Sequence, residues 1–157
     1  MNSINYIQAT ESDVKILADL RIEFLVEFLG EQAEESTNEL SKNLCNYFKQ
    51  ALNNKIYICW LAKIDNSIVG VGGMVIREQP GNFKNPSGKV GYLLNMYTVP
   101  SHRRKSICNE ILNRLISTAK EMGVTAFELH ATKEGESLYQ KHGFAVHTEP
   151  TYRKYIA

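Results

Sequence analysis

The chain has 157 residues, 43% of them hydrophobic and 22% charged, with a formal net charge of +1. That length fits one domain spanning 1–157 with a full core, and the near-neutral charge excludes global attraction to nucleic acid or to an acidic membrane surface. Cys45, Cys59 and Cys108 are scattered and odd in number, and neither the opening MNSINYIQAT nor any apolar run reads as a leader or a membrane span, so a cytoplasmic protein with free thiols is expected.

Ile4 to Ala9 predicts a first strand. Thr10 to Asp13 is a capping box that opens a helix with Val14, Leu17, Phe24, Leu25 and Phe28 on one side, ending near Gly30. Ser36 to Glu39 repeats the capping pattern and predicts a second helix carrying Leu40, Leu44, Phe48, Ala51 and Leu52. Ile56 to Ile64 predicts a strand, Asp65-Asn66 a hairpin turn, and Ser67 to Arg77 a return strand, weakened or bulged by Gly70, Gly72 and Gly73. Glu78 to Gly88 is a loop long enough to expect a functional role. Lys89 to Val99 predicts a strand, Ser106 to Met122 a helix, Ala126 to Thr132 a strand and Gly135 to His142 a short helix. Phe144 to His147 and Tyr152 to Ile156 predict a final pair of strands around Glu149-Pro150. This order predicts an α/β or mixed α+β fold, with one mixed sheet flanked by helices.

The sharpest local signal is Asn95 to Asn109, NMYTVPSHRRKSICN. A strand stops at Pro100, a basic turn follows, and an amphipathic helix begins, with Ile107, Ile111, Leu112, Leu115, Ala119 and Met122 in one stripe. The helix start offers unpaired N–H groups and a positive dipole end, and Arg103, Arg104 and Lys105 add charge there. The reading is an anion site, with a solvated basic corner as its alternative. A GxGxxG fingerprint and a Walker loop are both missing, which disfavours the common nucleotide folds.

Arg103-Arg104-Lys105-Ser106-Ile107-Cys108 resembles the Arg/Gln-x-x-Gly-x-Gly/Ala turn of the GNAT superfamily, the acetyl-CoA-dependent N-acetyltransferases. LYQKHGF, Leu138 to Phe144, resembles that family's Leu-Tyr-x-x-x-Gly-Phe, and HATKEG, His130 to Gly135, resembles one variant of the junction before it. The resemblance implies a splayed mixed sheet of about seven strands flanked by about four helices. It also implies acetyl-CoA as co-substrate, with no metal. Met96, Tyr97 and Thr98 are then the positions that hold the acyl-pantetheine arm. Arg103, Arg104, Lys105, Ser106, Ile107, Cys108 and Asn109 are those that hold the pyrophosphate. Where the family has glycines, this chain has Ser106 and Cys108. A Cβ at Ser106 narrows the approach of a pyrophosphate, although its hydroxyl can donate to one.

Moving an acyl group from a thioester to an amine needs a free amine, donors for the carbonyl oxygen and a proton for the departing thiolate. The resemblance assigns the proton to Tyr139, whose alternative is a core tyrosine packed on Phe144. Glu128 and His130 share a strand face and are candidate bases, or structural residues. His102, His142 and His147 read as surface residues. Glu27, with Glu23 and Glu31, lies where the family builds its acceptor pocket, or on a solvated helix face. Phe83 and Tyr92 are candidate apolar walls, and the loop Glu78 to Gly88 is expected at the acceptor. The implied activity is acetyl transfer to a primary amine, in a small molecule or a peptide, by direct attack. The alternative is a non-catalytic acyl-CoA-binding regulatory domain. Expected partners are that amine and, as an option, a second copy of the chain, with no nucleic acid and no membrane.

Overall fold

The computed structural model describes residues 3–157. Among them the elements run β1 (Asn5–Gln8), a 3₁₀ turn (Glu11–Asp13), α1 (Val14–Leu29), α2 (Glu34–Asn53), β2 (Tyr57–Ile64) and β3 (Ser67–Glu78). Then come β4 (Lys89–Thr98), a second 3₁₀ turn (Pro100–His102), α3 (Ile107–Glu121), β5 (Ala126–Leu129) and α4 (Glu136–Lys141). The five strands form one sheet in sequence order, antiparallel from β1 to β4 and parallel between β4 and β5. The mixed sheet and its four α-helices are those the resemblance implies.

Strand alternation sorts the core onto two faces. Tyr57, Cys59, Leu61, Val71 and Tyr97 pack against Leu17, Leu20 and Phe48 of α1 and α2. Ile58, Met74 and Leu93 pack on the other face against Ile107, Ile111, Leu112, Leu115 and Ala119 of α3. Gly72 is required by that second layer, because a Cβ there would lie 2.5 Å from the Ile111 side chain. Gly70 and Gly72 thus admit α3 to the sheet, besides marking a bulge, while Gly73 makes room for the Tyr57 ring on the other face.

Three sequence expectations change. The capping box at Thr10 is present, but α2 begins at Glu34, so Ser36 lies inside it. Glu34 and Glu35 occupy the first turn, where the helix dipole favours acids. The strand expected to reach Thr132 ends at Leu129. The final pair of strands is absent among the described residues, and Val146, Tyr152, Tyr155 and Ile156 are 87–90% exposed. The sheet therefore has five strands instead of about seven. A four-residue edge strand offers few ladder bonds to a partner. Around Pro150, the Glu149 N–H turns back onto His147 Nδ1 at 3.2 Å, a local bond that competes with pairing.

Candidate active site

β4 and β5 pair only from Val90–Ala126 to Leu93–Leu129. β4 continues to Thr98 with β3 on one side and no strand on the other. The sheet is therefore open from Leu94 onward. Its ladder also skips one residue. Gly73 faces Leu94 and Val71 faces Tyr97, so Asn95 and Met96 share Gly72 as their opposite number. Asn95 sits at φ 59°, in the left-handed region that asparagine tolerates. This is a β-bulge, which re-aims the strand at the point where its neighbour leaves.

The phase of the backbone follows from two bonds. Val99 N–H donates to Val69 C=O and Gln79 N–H to Gly88 C=O. Counting inward by twos from each end makes Tyr97 and Leu94 bonded partners of β3. Thr98 then points its backbone groups away from β3, across the opening, and Arg103 Nε donates to its carbonyl at 2.9 Å. The bulge residues Asn95 and Met96 lie between bonded pairs. Strand β4 thus turns the Thr98 backbone toward the opening.

Beyond Thr98 the chain turns into α3. Arg104 and Ser106 are both left-handed, at φ 63° and 61°. Successive turn residues of this kind direct N–H groups into one concavity, a nest suited to an anion. Glu110 N–H donates to Ser106 C=O, so the N–H groups of Ile107, Cys108 and Asn109 precede the first bond of the helix. Arg104, Lys105 and Ser106 are exposed here. Cys108 turns inward instead, with Sγ 3.1 Å from Thr98 Oγ1 and its thiol pushed up by burial. Asn109 Oδ1 lies 2.6 Å from His142 Nε2, which ties α4 to the first turn of α3. His142 is thus a tether between helices, not a free surface residue.

Arg103 behaves differently from its neighbours. Its Nη2 lies 2.7 Å from Glu27 Oε2 on α1, and its guanidinium stands over the Tyr97 ring at 5.4 Å. That hydrogen bond holds the Glu27 carboxyl below its usual range. The two candidates, one expected at the cofactor and one at the acceptor, are brought together, but onto each other.

On the other side of the opening, Tyr92, Glu128 and His130 cluster. Tyr92 faces Glu128 in register, and Tyr92 Oη lies 2.7 Å from His130 Nδ1. Arg77 stacks over Tyr92 at 4.7 Å, and its Nη2 is 3.2 Å from Glu128 Oε1. Glu128 and His130 are both exposed. A cavity of about 230 Å³ lies where the strands part, lined by Arg21, Phe24, Tyr92, Asn95, Met96, His130 and Tyr139 among others. Tyr139 packs edge-on against Phe144 at 5.9 Å, and burial raises its phenol to about 12. Phe83 is fully exposed and lines neither this cavity nor the larger groove beside β5. It lies beyond Lys89, at the far end of β4 from the opening, with about 20 Å of strand between Lys89 and Asn95.

Two residues in this site carry little sequence signal. Asn95 is legible in retrospect, since asparagine is depleted in strand interiors and tolerates a bulge. Arg21 is not, because a basic residue on a helix reads as a solvated face. Arg21 Nη1 donates to Asn95 Oδ1, and Asn95 Nδ2 donates to the buried Tyr57 hydroxyl at 3.1 Å.

The parallel pair thus parts beside a helix start whose first N–H groups have no intrahelical partner. The acetyltransferase (GNAT) family model matches residues 17–144, and the chain belongs to that family. Among curated proteins no sequence relative matches. Among solved structures, a predicted acetyltransferase with acetyl-CoA from Clostridium acetobutylicum is 29% identical, with 97% of this chain and 96% of that one covered and a TM-score of 0.89. A GCN5-related N-acetyltransferase from Ralstonia eutropha JMP134 is 23% identical over 97% of this chain and 99% of that one, with a TM-score of 0.85. An aminoglycoside N-acetyltransferase in complex with CoA is 14% identical over 98% of this chain and 96% of that one, with a TM-score of 0.75.

Proposed function

We propose that the protein transfers an acetyl group from acetyl-CoA to a primary amine by direct attack. The observation that carries this reading is the parting of β4 and β5 after Leu93 and Leu129, with the nest turn at one end and Tyr139 beside the gap. The N–H groups from Arg104 to Asn109 would take the pyrophosphate, aided by Arg104 and Lys105. Met96 and Thr98 would hold the pantetheine arm through the open edge of β4, with Tyr97 packed behind them. The family membership and the acetyl-CoA named with a 29% identical neighbour support the choice of donor.

The chemistry asks little more of the chain. The amine nitrogen attacks the thioester carbonyl carbon, a C–N bond forms, and the C–S bond breaks. A backbone N–H on β4 stabilises the oxygen as it gains charge. The Tyr139 phenol supplies a proton to the departing thiolate and is restored by the proton that the attacking nitrogen sheds as the amide forms; its raised pKa keeps it protonated at neutral pH. His130, held by Tyr92, accepts a proton from the ammonium, directly or through water. Glu128 is assigned to Arg77 instead. The departures at Ser106 and Cys108, which favour a non-catalytic binding domain, are accommodated: one takes the left-handed turn, and the other packs on Thr98.

The test is CoA-thiol release with acetyl-CoA across an amine panel, read beside a thermal shift. Cofactor at about a hundred times its dissociation constant should stabilise by about 2.7 kcal/mol. No shift at millimolar acetyl-CoA, with AMP and pantetheine also silent, removes the donor assignment. A shift with no thiol release on any amine selects the binding domain.

A further inference from the structure

We infer that the acceptor is a small amine carrying a carboxylate, and that Arg21 holds that carboxylate in the cavity between β4 and β5. This rests on the acetyl-transfer reading above and adds the chemical class of its second substrate.

The lining of the cavity includes Arg21 and His130 and no Asp or Glu. Of the carboxylates on the surrounding elements, Glu128 is paired with Arg77 and Glu27 with Arg103, while Glu23 and Glu136 lie outside the lining. A cationic amine with no other charge would therefore enter a site holding a fixed positive charge and no carboxylate in its lining to offset it. An amine bearing a carboxylate brings the missing charge itself.

Arg21 is also built in rather than left on the surface. It is half-buried on α1, and Asn95 accepts one of its N–H groups. Asn95 is 6% exposed and is fixed in turn by the fully buried Tyr57 hydroxyl. The bulge that re-aims β4 thus also orients the guanidinium. A tie between helix and strand uses only one edge of that planar fork. The remaining donors match a planar carboxylate in two parallel bonds. Phe24 and Tyr92 flank the space, and about 230 Å³ suits a small acceptor rather than a long polymer.

The test uses the full chain, acetyl-CoA and matched acceptors: an α-amino acid, its carboxamide, the decarboxylated amine and a phosphate-bearing amine. We expect kcat/KM for the amino acid to exceed that for its carboxamide and the decarboxylated amine at least tenfold. Arg21→Gln should erase that preference through the acceptor KM and leave the KM for acetyl-CoA unchanged. Arg21→Lys should keep part of it, since charge survives and the fork does not. Equal use of the neutral analogues by the wild type, or a preference that persists in Arg21→Gln, overturns the inference. Preference for the phosphate-bearing amine overturns the carboxylate assignment. If no amine turns over, acetyl transfer fails on its own. Amino-acid binding in the presence of CoA, read by thermal shift, then decides the inference. A shift with the amino acid, lost with its carboxamide and in Arg21→Gln, sustains it. No Arg21-dependent shift overturns it.

Discussion

Arg103 Nη2 and Glu27 Oε2 lie 2.7 Å apart, so the first basic residue of the turn is tied to α1. The same guanidinium bonds the Thr98 carbonyl and covers Tyr97. It therefore links α1 to the open end of β4. Both members are more than a third exposed, so the pair contributes little energy by itself, about 0.2–1 kcal/mol. A double-mutant cycle of Glu27→Gln and Arg103→Gln, read by denaturant unfolding, should return a coupling in that range. The sign with pH is fixed. The Glu27 carboxyl is depressed in the folded state, so the stabilisation is present above its unfolded pKa and is lost as pH falls through the folded value. The coupling should vanish in acid. A coupling that grows as pH falls would contradict the pairing.

Ser106 explains why a glycine belongs at its position. It holds φ 61°, a conformation that costs an L-residue roughly 1–2 kcal/mol. Ser106→Gly removes that strain and returns part of the gain through a more flexible unfolded chain. The net expectation is a stabilisation of about 0.5–1 kcal/mol, or roughly 1–4 °C in Tm. CoA affinity should rise or stay unchanged, because the Cβ no longer stands at the nest. A tenfold loss, about 1.4 kcal/mol, would identify the hydroxyl as a ligand of the phosphate instead.

Tyr139 can be tested for both roles that its sequence context allows. Its ring packs on Phe144, the residue lines the cavity, and its hydroxyl has no hydrogen-bond partner among the described residues. Tyr139→Phe keeps the ring contact and removes one oxygen. As the acid, it should lower kcat about 10²–10⁴-fold with both substrates still bound normally. Because burial raises the phenol to about 12, the loss should be uniform across the neutral range. His130→Gln should differ, losing rate mainly at lower pH, where the ammonium is hardest to deprotonate. Full turnover in Tyr139→Phe would make this tyrosine structural.

The fold was legible wherever one residue type had one job. The α3 stripe, the Thr10 capping box and the strand ended by Pro100 each point to a single local structure, and each forms. The basic turn was legible as the entrance to a helix, because Pro100 stops the strand before it and the α3 stripe begins after it. What the sequence hid depends on long-range partners. Nothing local announces that Glu27 would claim Arg103, or that Arg21 and Asn95, far apart in the chain, would meet. The last strands read plausibly from Phe144 to Ile156 because alternation is a local property. Pairing also needs an edge to bind, and β5 is too short to supply a long one.

The loop Glu78 to Gly88 is read best from its hydrogen bonds. Asn82 and Asn85 bond each other's backbone, and Asn85 Nδ2 donates to Lys89 C=O at 2.9 Å. Gln79 N–H donates to Gly88 C=O, which extends the β3–β4 ladder into the loop. Asn85 is 7% exposed, so this is a self-supporting cap on the hairpin and not a free lid. Asn85→Ala strips the buried bonds and should cost about 1–3 kcal/mol, measured by denaturant unfolding. Phe83→Ala should cost nearly nothing, since the ring is fully exposed. Neither substitution should change the KM for acetyl-CoA or for the acceptor in the folded enzyme, because the loop caps the end of β4 opposite the opening. A selective rise in acceptor KM in Phe83→Ala, with Tm unchanged, would place the loop at the acceptor and require it to fold over the sheet during turnover.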